Sequence, residues 1–400
     1  MLDPAFQVVL PGHRIDFFKD LSLLINDLTR EFPSKINEIQ RFYRAVSKTS
    51  SMIERWILED EGNGSAWIGG FLRSISRLPA AISSLSSLAG VGDGVNDPFR
   101  RVVQAQLIFL SNLESEGRQF PLSAAYLLSL PMKGLFCPDG GIPALTTCLQ
   151  RTFTEQGGIL KDGCSVIRVT TEPEVAVDLE CNGASTTLIG RKLIVSAQWE
   201  KLELLLPGRR ILPNRGRLFT SIQPAAYPFS LHMGVHEEGL PENMAGYVLL
   251  LGNGTGPVTN RELVFLQTSL PGEIDRAPKG RRAMTAMVYL ERSPLLLSDQ
   301  ELKNEAMKIL DSLEEFLPFL RDNIDYLCVD QSIELSRRYQ EIVNRKYRIR
   351  RAPLWGLSTL ASRTRLANVM LTGGILRAGL GFEGEIIAGM DAAFWAGKEK

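Results

Sequence analysis

The C-terminal part of the sequence contains a glycine pattern that could hold a phosphate or the polar tail of a flavin. Residues 379–384 read GLGFEG, a G-x-G-x-x-G that follows the apolar run Val369–Leu371 and the pair Gly373–Gly374. Residues 386–395 then favour a helix, whose first turn would present free N–H groups and the positive end of a helix dipole. A dinucleotide-binding unit also needs a complete βαβ and an acidic residue about 20 positions later. Only sixteen residues follow Gly384.

The histidines do not suggest a catalytic or metal-binding set. The sequence contains three of them, and His232 and His236 are the closely spaced pair. Their surroundings, FSLHMGVH, alternate in the manner of a β-strand, which would place the two imidazoles roughly 13 Å apart. We therefore predict no metal site, and the catalytic residues stay unknown. If the chain is an enzyme, a cofactor is expected to carry its chemistry.

Composition excludes several other classes. The 400 residues are 44% hydrophobic, and 45 basic and 45 acidic side chains cancel, so nothing global points to nucleic acid. Five scattered cysteines without a C-x-x-C pair argue for a reducing compartment and against a disulfide framework or a zinc cluster. Residues 1–13 lack the pattern of a signal peptide, and no apolar run approaches the roughly 18 residues of a spanning helix. These features predict a cytoplasmic protein, soluble or peripheral on a membrane.

Helical spacing and end signals predict several helices. Asp20 caps one that Pro33 ends, and another begins near Lys35. Residues 66–91, rich in Leu, Ile and Ser, fit either helices packed on a core or an amphipathic surface for a membrane or an apolar substrate. A capping box at Ser298–Glu301 predicts a helix over about 299–317. The run 337–351 contains seven basic residues and one acidic residue. It fits either a binding site for phosphate or anionic lipid, or a solvated helix face.

The remaining patterns predict strands around one further helix. Residues 139–158 indicate a helix bounded by glycines, followed by a β-meander whose clearest turn is Asn182-Gly183 and by a return strand at 192–197. The region from about 217 to 292 predicts a mainly antiparallel sheet. Its candidate strands are 218–222, 229–235, 247–251, 263–268 and 283–291.

Several stretches, taken in order, resemble the phytoene desaturase and carotenoid isomerase branch of the flavin-dependent amine oxidase superfamily. They are LDPAFQVVLPGHRIDFF, PDGGIPALTTCLQRTFTEQGGIL, GCSVIRV, KLIVSAQWE, FLQTSLPGEIDRAPKGRRAMTAMVYL, LWGL and NVMLTGGILRAGLGFEGEIIAG. GCSVIRV resembles the strand that meets the adenine end of FAD, LWGL an aromatic-Gly turn near the flavin, and the last stretch the C-terminal flavin motif. The resemblance thereby implies cofactor-binding roles for Val166, Trp355, Gly356, Gly373, Gly374, Gly379, Gly381, Gly384, Glu385 and Ile386.

The resemblance implies an α/β fold with α+β elements. It comprises an incomplete FAD-binding Rossmann-like domain and a substrate domain with a mixed or antiparallel sheet and helices. The expected parts are an extended segment and helical substrate- or membrane-facing region at 1–131 and a helix, meander and return strand of the FAD domain at 132–200. They continue with an antiparallel substrate domain at 201–345, including the helix 299–317, and an FAD-binding strand-turn-helix at 346–400.

The function implied by the resemblance is FAD-dependent hydride transfer on C–C bonds of an apolar polyene or isoprenoid such as a carotenoid. A hydrophobic tunnel between the 217–292 sheet and the 66–91 helices would hold the substrate. The family's N-terminal βαβ unit, with its main G-x-G-x-x-G and ribose-binding acid, has no counterpart here. A separate N-terminal FAD-binding part is therefore expected as partner, with peripheral membrane contact and no nucleic acid. The alternative is a flavin-free lipid- or prenyl-binding or escort protein of the same fold.

Overall fold

The computed structural model of the protein describes residues 1–59, 97–114, 121–196, 222–254, 258–340, 345–349 and 362–397, with Leu205 and Leu357 as isolated residues. The helices in these ranges are α1 (Leu21–Glu31), α2 (Ile36–Glu59), α3 (Pro98–Leu110), α4 (Pro121–Lys133), α5 (Gly141–Glu155), α6 (Asp299–Glu314), α7 (Val329–Arg338) and α8 (Gly381–Gly397). The strands are β1 (Phe6–Leu10), β2 (His13–Phe17), β3 (Leu113–Glu114), β4 (Cys164–Thr170), β5 (Val175–Cys181), β6 (Ala184–Gly190), β7 (Leu193–Ser196), β8 (Gln223–His236), β9 (Tyr247–Leu251), β10 (Leu263–Thr268), β11 (Arg281–Leu290), β12 (Ile324–Leu327), β13 (Lys346–Arg348) and β14 (Val369–Thr372). The expected mixed α/β class is confirmed.

Nine strands form one mixed sheet in the order β2-β1-β9-β10-β11-β8-β13-β3, with β12 also paired to β8. β9 and β10 have the predicted bounds, while β8 and β11 overlap the strands predicted at 229–235 and 283–291. The strand predicted at 218–222 lies almost entirely outside the described residues. The β1–β2 hairpin joins this sheet because β1 pairs in parallel with β9.

Helices cover both faces of the nine-stranded sheet. α1 to α4 pack one face around a core that includes Phe6, Phe42 and Phe265, and α6 and α7 pack the other around Phe229 and Leu302. α6 begins on the predicted capping box, in which Ser298 and Glu301 bond to each other's backbone N–H groups. The helices predicted at 66–91 lie outside the described residues. No helix within the described ranges combines the length and apolar composition that crossing a bilayer demands.

A row of aromatic rings crosses the core on the face covered by α1 to α4. Successive ring centroids lie 4.8, 5.8, 5.5 and 5.7 Å apart from Phe17 through Phe6, Phe109 and Phe265 to Tyr289. Spacings of this size are typical of stacked and edge-to-face aromatic pairs. The row therefore ties the N-terminal hairpin to the middle of the sheet.

Three cations of the basic run 337–351 bind other parts of the protein: Arg337, Lys346 and Arg348. Lys346 on β13 is fully buried, and its Nζ donates to the carbonyl oxygens of Ile108 and Ser111 and lies 4.6 Å from the Tyr289 ring centroid. Burial lowers the pKa of Lys346 to about 7, against an opposing effect of the Glu114 carboxylate. Arg337 and Arg348 form ion pairs of 2.6 Å with Asp299 and Glu114.

The remaining elements are α5, the antiparallel meander β4-β5-β6, the parallel pair β7–β14 and α8. The predicted turn between β5 and β6 is confirmed, since Asn182 and Gly183 both have positive φ angles, 51° and 80°. β7 and β14 run in register from Leu193 opposite Val369 to Ser196 opposite Thr372. α8 packs against this pair.

The argument against a disulfide framework did not foresee the single disulfide that Cys164 and Cys181 form. The antiparallel register of β4 and β5 places these two residues directly opposite each other at the end of the ladder. The sequence shows both cysteines but not the register, so the pairing is visible only in the folded meander. Cys137, Cys148 and Cys328 are free.

Candidate cofactor site

The candidate site lies where β7 and β14 end. Because the strands are parallel, their C-terminal residues Ser196 and Thr372 lie side by side, and Gly373 and Gly374 follow directly. α8 then runs back along the pair, so that Gly389 faces Thr372 and Lys192 reaches the end of the helix at Ala396. Ligands of open α/β sheets bind outside the carboxyl ends of parallel strands. The fold thus gives this end of the pair the geometry of a ligand site.

Gly373 and Gly374 leave the backbone at the strand end without side chains. Gly373 has a φ angle of +109°, which L side chains rarely adopt, and a Cβ there would lie 3.4 Å from Ser196 Oγ. A Cβ on Gly374 would lie 2.7 Å from Glu385 Oε1 on α8. The structure therefore brings together three of the residues that the sequence assigned to the site: Gly373, Gly374 and Glu385.

The glycines of the G-x-G-x-x-G pattern face the protein itself. A Cβ on Gly381 would lie 1.9 Å from the carbonyl oxygen of Leu110 at the end of α3, and one on Gly384 would lie 2.3 Å from the carbonyl oxygen of Arg377. Gly379 is buried in a short 3-10 helix, Ala378–Leu380. Gly381 and Gly384 thus allow the close approach of backbone to backbone that seats α8.

A buried lysine binds the same C-terminal end of α3. Lys346 binds the carbonyl oxygens of Ile108 and Ser111, on either side of the Leu110 carbonyl that Gly381 faces. Helix C-termini carry unpaired carbonyl groups and a negative partial charge, which an ammonium group satisfies. The N–H of Asn112 donates to the carbonyl oxygen of Ala378 at 2.8 Å, which fixes the start of the glycine turn on the same segment.

The first turn of α8 carries an ionisable cluster that the sequence reasoning missed. The Tyr126 hydroxyl donates to Glu383 Oε2, and Lys133 Nζ lies 4.7 Å from the Tyr126 ring centroid and pairs with Glu54. Burial, followed by the Glu383 carboxylate, raises the pKa of Tyr126, and burial lowers the pKa of Lys133. A carboxylate at a helix N-terminus is stabilised by the helix dipole. In the sequence, the only indication of this cluster is Glu383 inside the glycine pattern.

Apolar side chains are exposed on the elements around this site. Within the described residues, none of the fifteen residues of α5 is buried. Leu149 on α5 is 63% exposed, Ile189 on β6 72%, and Phe382 on α8 56%. Others that are exposed on the same elements are Ile142, Phe153, Val166, Ile167, Leu188, Ile194, Ile386 and Met390. We call these eleven side chains the apolar face, although strand neighbours such as Leu188 and Ile189 point to opposite sides of the meander.

The remaining sequence-predicted residues lie elsewhere. Val166 is exposed on β4, and Ile386 is exposed on α8, so they belong to the apolar face rather than to the strand end. Trp355 and Gly356 lie outside the described residues. His232 contacts Thr285 at 3.1 Å, whereas His236 pairs with Asp325 at 2.7 Å. No group of three ligand-type residues that could hold a metal occurs among the residues described.

Comparisons with known proteins give structural likeness only. The chain matches no protein-family model and no curated protein. A cyclohexylamine oxidase from Brevibacterium oxydans IH-35A is similar over 98% of this chain and 80% of its own, with 15% identity and a TM-score of 0.48. A putrescine oxidase double mutant from a redesign of cofactor binding is similar over 98% and 81%, with 12% identity and a TM-score of 0.45. The flavin-dependent halogenase CmlS is similar over 62% and 39%, with 11% identity and a TM-score of 0.29.

Proposed function

We propose that this chain is the larger part of an FAD-dependent oxidoreductase whose cofactor site is completed by a separate glycine-rich βαβ unit. The apolar face carries the proposal, together with the two-stranded parallel pair that it surrounds. Exposed apolar side chains gathered on neighbouring elements are a common feature of interaction surfaces.

Parallel sheets are normally covered on both faces, and very small sheets are marginally stable in water. Among the described residues, β7 pairs with β14 alone, and α8 packs against that pair. A third parallel strand would add to β7 by the main-chain bonding that extends any sheet edge. A connecting helix of the same βαβ unit would bury apolar side chains such as Ile189 and Leu149.

The strand-end residues fit the closing contact of such a cofactor. Gly373 and Gly374 follow the carboxyl ends of β7 and β14, the position at which ligands of open α/β sheets bind. Glu383 in the first turn of α8 adds negative charge, which opposes a phosphate at that position. We therefore assign this turn to the uncharged flavin end of FAD and expect the added βαβ unit to bind the pyrophosphate.

FAD, when bound, would supply hydride transfer to or from the substrate. The residues of this chain would orient the cofactor at the strand end and keep the Gly373–Gly374 backbone close to it. We further propose an apolar polyene or isoprenoid, such as a carotenoid, as the substrate that reacts at a C–C bond. This substrate class rests on the sequence resemblance, and it would bring the protein to membrane surfaces.

The test measures flavin absorbance of the purified chain with added FAD, alone and after co-expression with an adjacent reading frame that encodes a glycine-rich βαβ unit. We expect the flavin spectrum to co-purify only with the two-part complex. Absence of flavin from both preparations would overturn the proposal. Absence of flavin together with retained isoprenoid would favour the escort protein.

A matched pair of variants locates the contact. Leu149→Lys places a charge in the apolar face, whereas Leu296→Lys places one at a leucine of similar exposure, 70%, that follows β11. We expect Leu149→Lys to lower flavin retention by the complex at least tenfold and Leu296→Lys to leave it unchanged. Equal retention by both variants would place the contact elsewhere.

A further inference from the structure

A second concave site lies at the opposite end of β7 and β14 from the glycine turn. It is a cavity of about 980 Å³ at the N-terminal ends of these strands and the C-terminal end of α8. Its charged lining residues are Arg191, Lys192 and Arg363, and Trp395 contributes an aromatic ring. The four-residue strands separate it from Gly373 by roughly 13 Å.

Two of the cations are held in place by the last turn of α8. The guanidinium carbon of Arg363 lies 5.1 Å from the ring centroid of Trp395, and Lys192 Nζ donates to the carbonyl oxygen of Ala396 at 2.6 Å. Stacking on an aromatic ring leaves the edge N–H groups of a guanidinium available for an acceptor. The pocket is therefore preorganised for a planar or tetrahedral anion.

The described ionisable side chains that line this pocket are all positively charged. The lining contains three positively charged side chains and no carboxylate within the ranges described. Elsewhere Arg337, Arg348 and Arg377 each pair with a carboxylate at 2.6 Å. Within those same ranges, Arg191 and Arg363 have no ion pair. Two arginines without counter-charges in one cavity leave a preference for a negatively charged ligand.

We propose that this cavity is a binding site for a phosphate group, bound by the Arg191 and Arg363 guanidinium groups with Lys192 adding positive charge. Arginine forms paired N–H···O bonds to phosphate oxygens, and a phosphate dianion matches two cations better than chloride does. The phosphate could belong to a soluble organic phosphate or to the headgroup of an anionic lipid. The exposed side chains of Ile189 and Ile194 lie close in sequence to Arg191 and Lys192, which suits the lipid source.

The test uses the full chain without flavin, so its outcome is independent of the proposed function. Calorimetric titration with pyrophosphate probes the soluble source. Co-sedimentation with vesicles of phosphatidylcholine, with and without phosphatidic acid, probes the lipid source. We expect Arg363→Gln to weaken binding by roughly tenfold to a hundredfold, the range for one lost bond between charged groups. Arg191→Gln is expected to have the same effect.

Arg365→Gln is the matched control, since it removes the same charge from an exposed arginine that does not line the cavity. Selective weakening by Arg363→Gln in the pyrophosphate titration supports a soluble phosphate, and the same pattern in the vesicle assay supports a lipid headgroup. Equal weakening by Arg363→Gln and Arg365→Gln would overturn the site, because it would show attraction to net charge alone. Absence of binding in both assays would also overturn it.

Discussion

Helices cover both faces of the nine-stranded sheet, whereas the β7–β14 pair has α8 packed against it and eleven exposed apolar side chains on the elements around it. α6 and α5 show the same contrast between two helices of similar length. α6 begins on a side-chain capping box and buries five residues, while α5 begins at Gly140 without a side-chain cap and buries none within the described residues. Most helical stability in proteins comes from packing one face. The difference between α6 and α5 is what we expect if the proposed βαβ unit packs on the elements around β7 and β14.

A matched pair of leucine substitutions gives the largest expected effect. Leu251 on β9 is fully buried, and Leu149 on α5 is 63% exposed. We expect Leu251→Ala to lower the free energy of unfolding by about 2–5 kcal/mol, because it removes buried methyl groups and leaves a cavity. Leu149→Ala should change it by less than about 0.5 kcal/mol. Urea unfolding followed by circular dichroism measures the free energy of unfolding of both variants. Equal losses of stability would contradict the expected difference between the buried and the exposed leucine.

A pH titration tests Lys346, whose buried amine binds carbonyl oxygens at the C-terminal end of α3. Its pKa is about 7 in the folded protein and 10.5 ordinarily. Between these values the unfolded chain binds more protons, so the contribution of Lys346 to stability rises with pH by up to about 1.4 kcal/mol per unit. Below about pH 7 both states are protonated and the contribution is at its lowest.

The Lys346→Met variant isolates this effect. We expect the free energy of unfolding of the wild type to rise relative to the variant between about pH 7 and 10.5. Parallel curves for the two proteins would show that Lys346 keeps its ordinary pKa when folded. Since Arg348 is exposed and paired with Glu114, Arg348→Met serves as a control that should not show the same pH dependence.

The smallest expected effect concerns the capping of α6. Ser298 accepts from the Glu301 N–H and anchors the first turn of the helix. Ser298→Ala should lower the free energy of unfolding by about 1 kcal/mol, the usual contribution of an N-cap side chain. Ser298→Thr, which keeps a hydroxyl, should recover most of the loss. If Ser298→Ala leaves the stability unchanged, packing alone stabilises the N-terminal end of α6.

Local signals in the sequence predicted the individual elements well. The Ser298–Glu301 box located α6, and the Asn182-Gly183 pair located the β5–β6 turn. The candidate strands 247–251 and 263–268 have the observed bounds of β9 and β10. These features depend on neighbouring residues, so a single sequence contains the information. The bounds of the expected domains and the cofactor-binding roles of all ten residues named in the sequence analysis stay predictions.

Long-range placement could not be derived in the same way. The Cys164–Cys181 disulfide depends on the β4–β5 register, and the burial of Lys346 depends on contacts with Ile108 and Ser111, over 200 residues earlier in the chain. Spacing within a basic run cannot show which cation turns inward. The glycine pattern was likewise located by sequence, but only the fold shows that Gly381 and Gly384 face backbone carbonyl groups.

The parallel pairing of β1 with β9 has a consequence for synthesis of the chain. Gln7 to Val9 pair with Val248 to Leu250. One edge of the N-terminal hairpin therefore stays unpaired until β9 has been synthesised. At about 5–20 residues per second, that wait is on the order of tens of seconds. An unpaired strand edge is a template for association with other chains. Nascent chains on neighbouring ribosomes are therefore expected to be most prone to aggregation before β9 emerges, and chaperone protection should matter most in that interval.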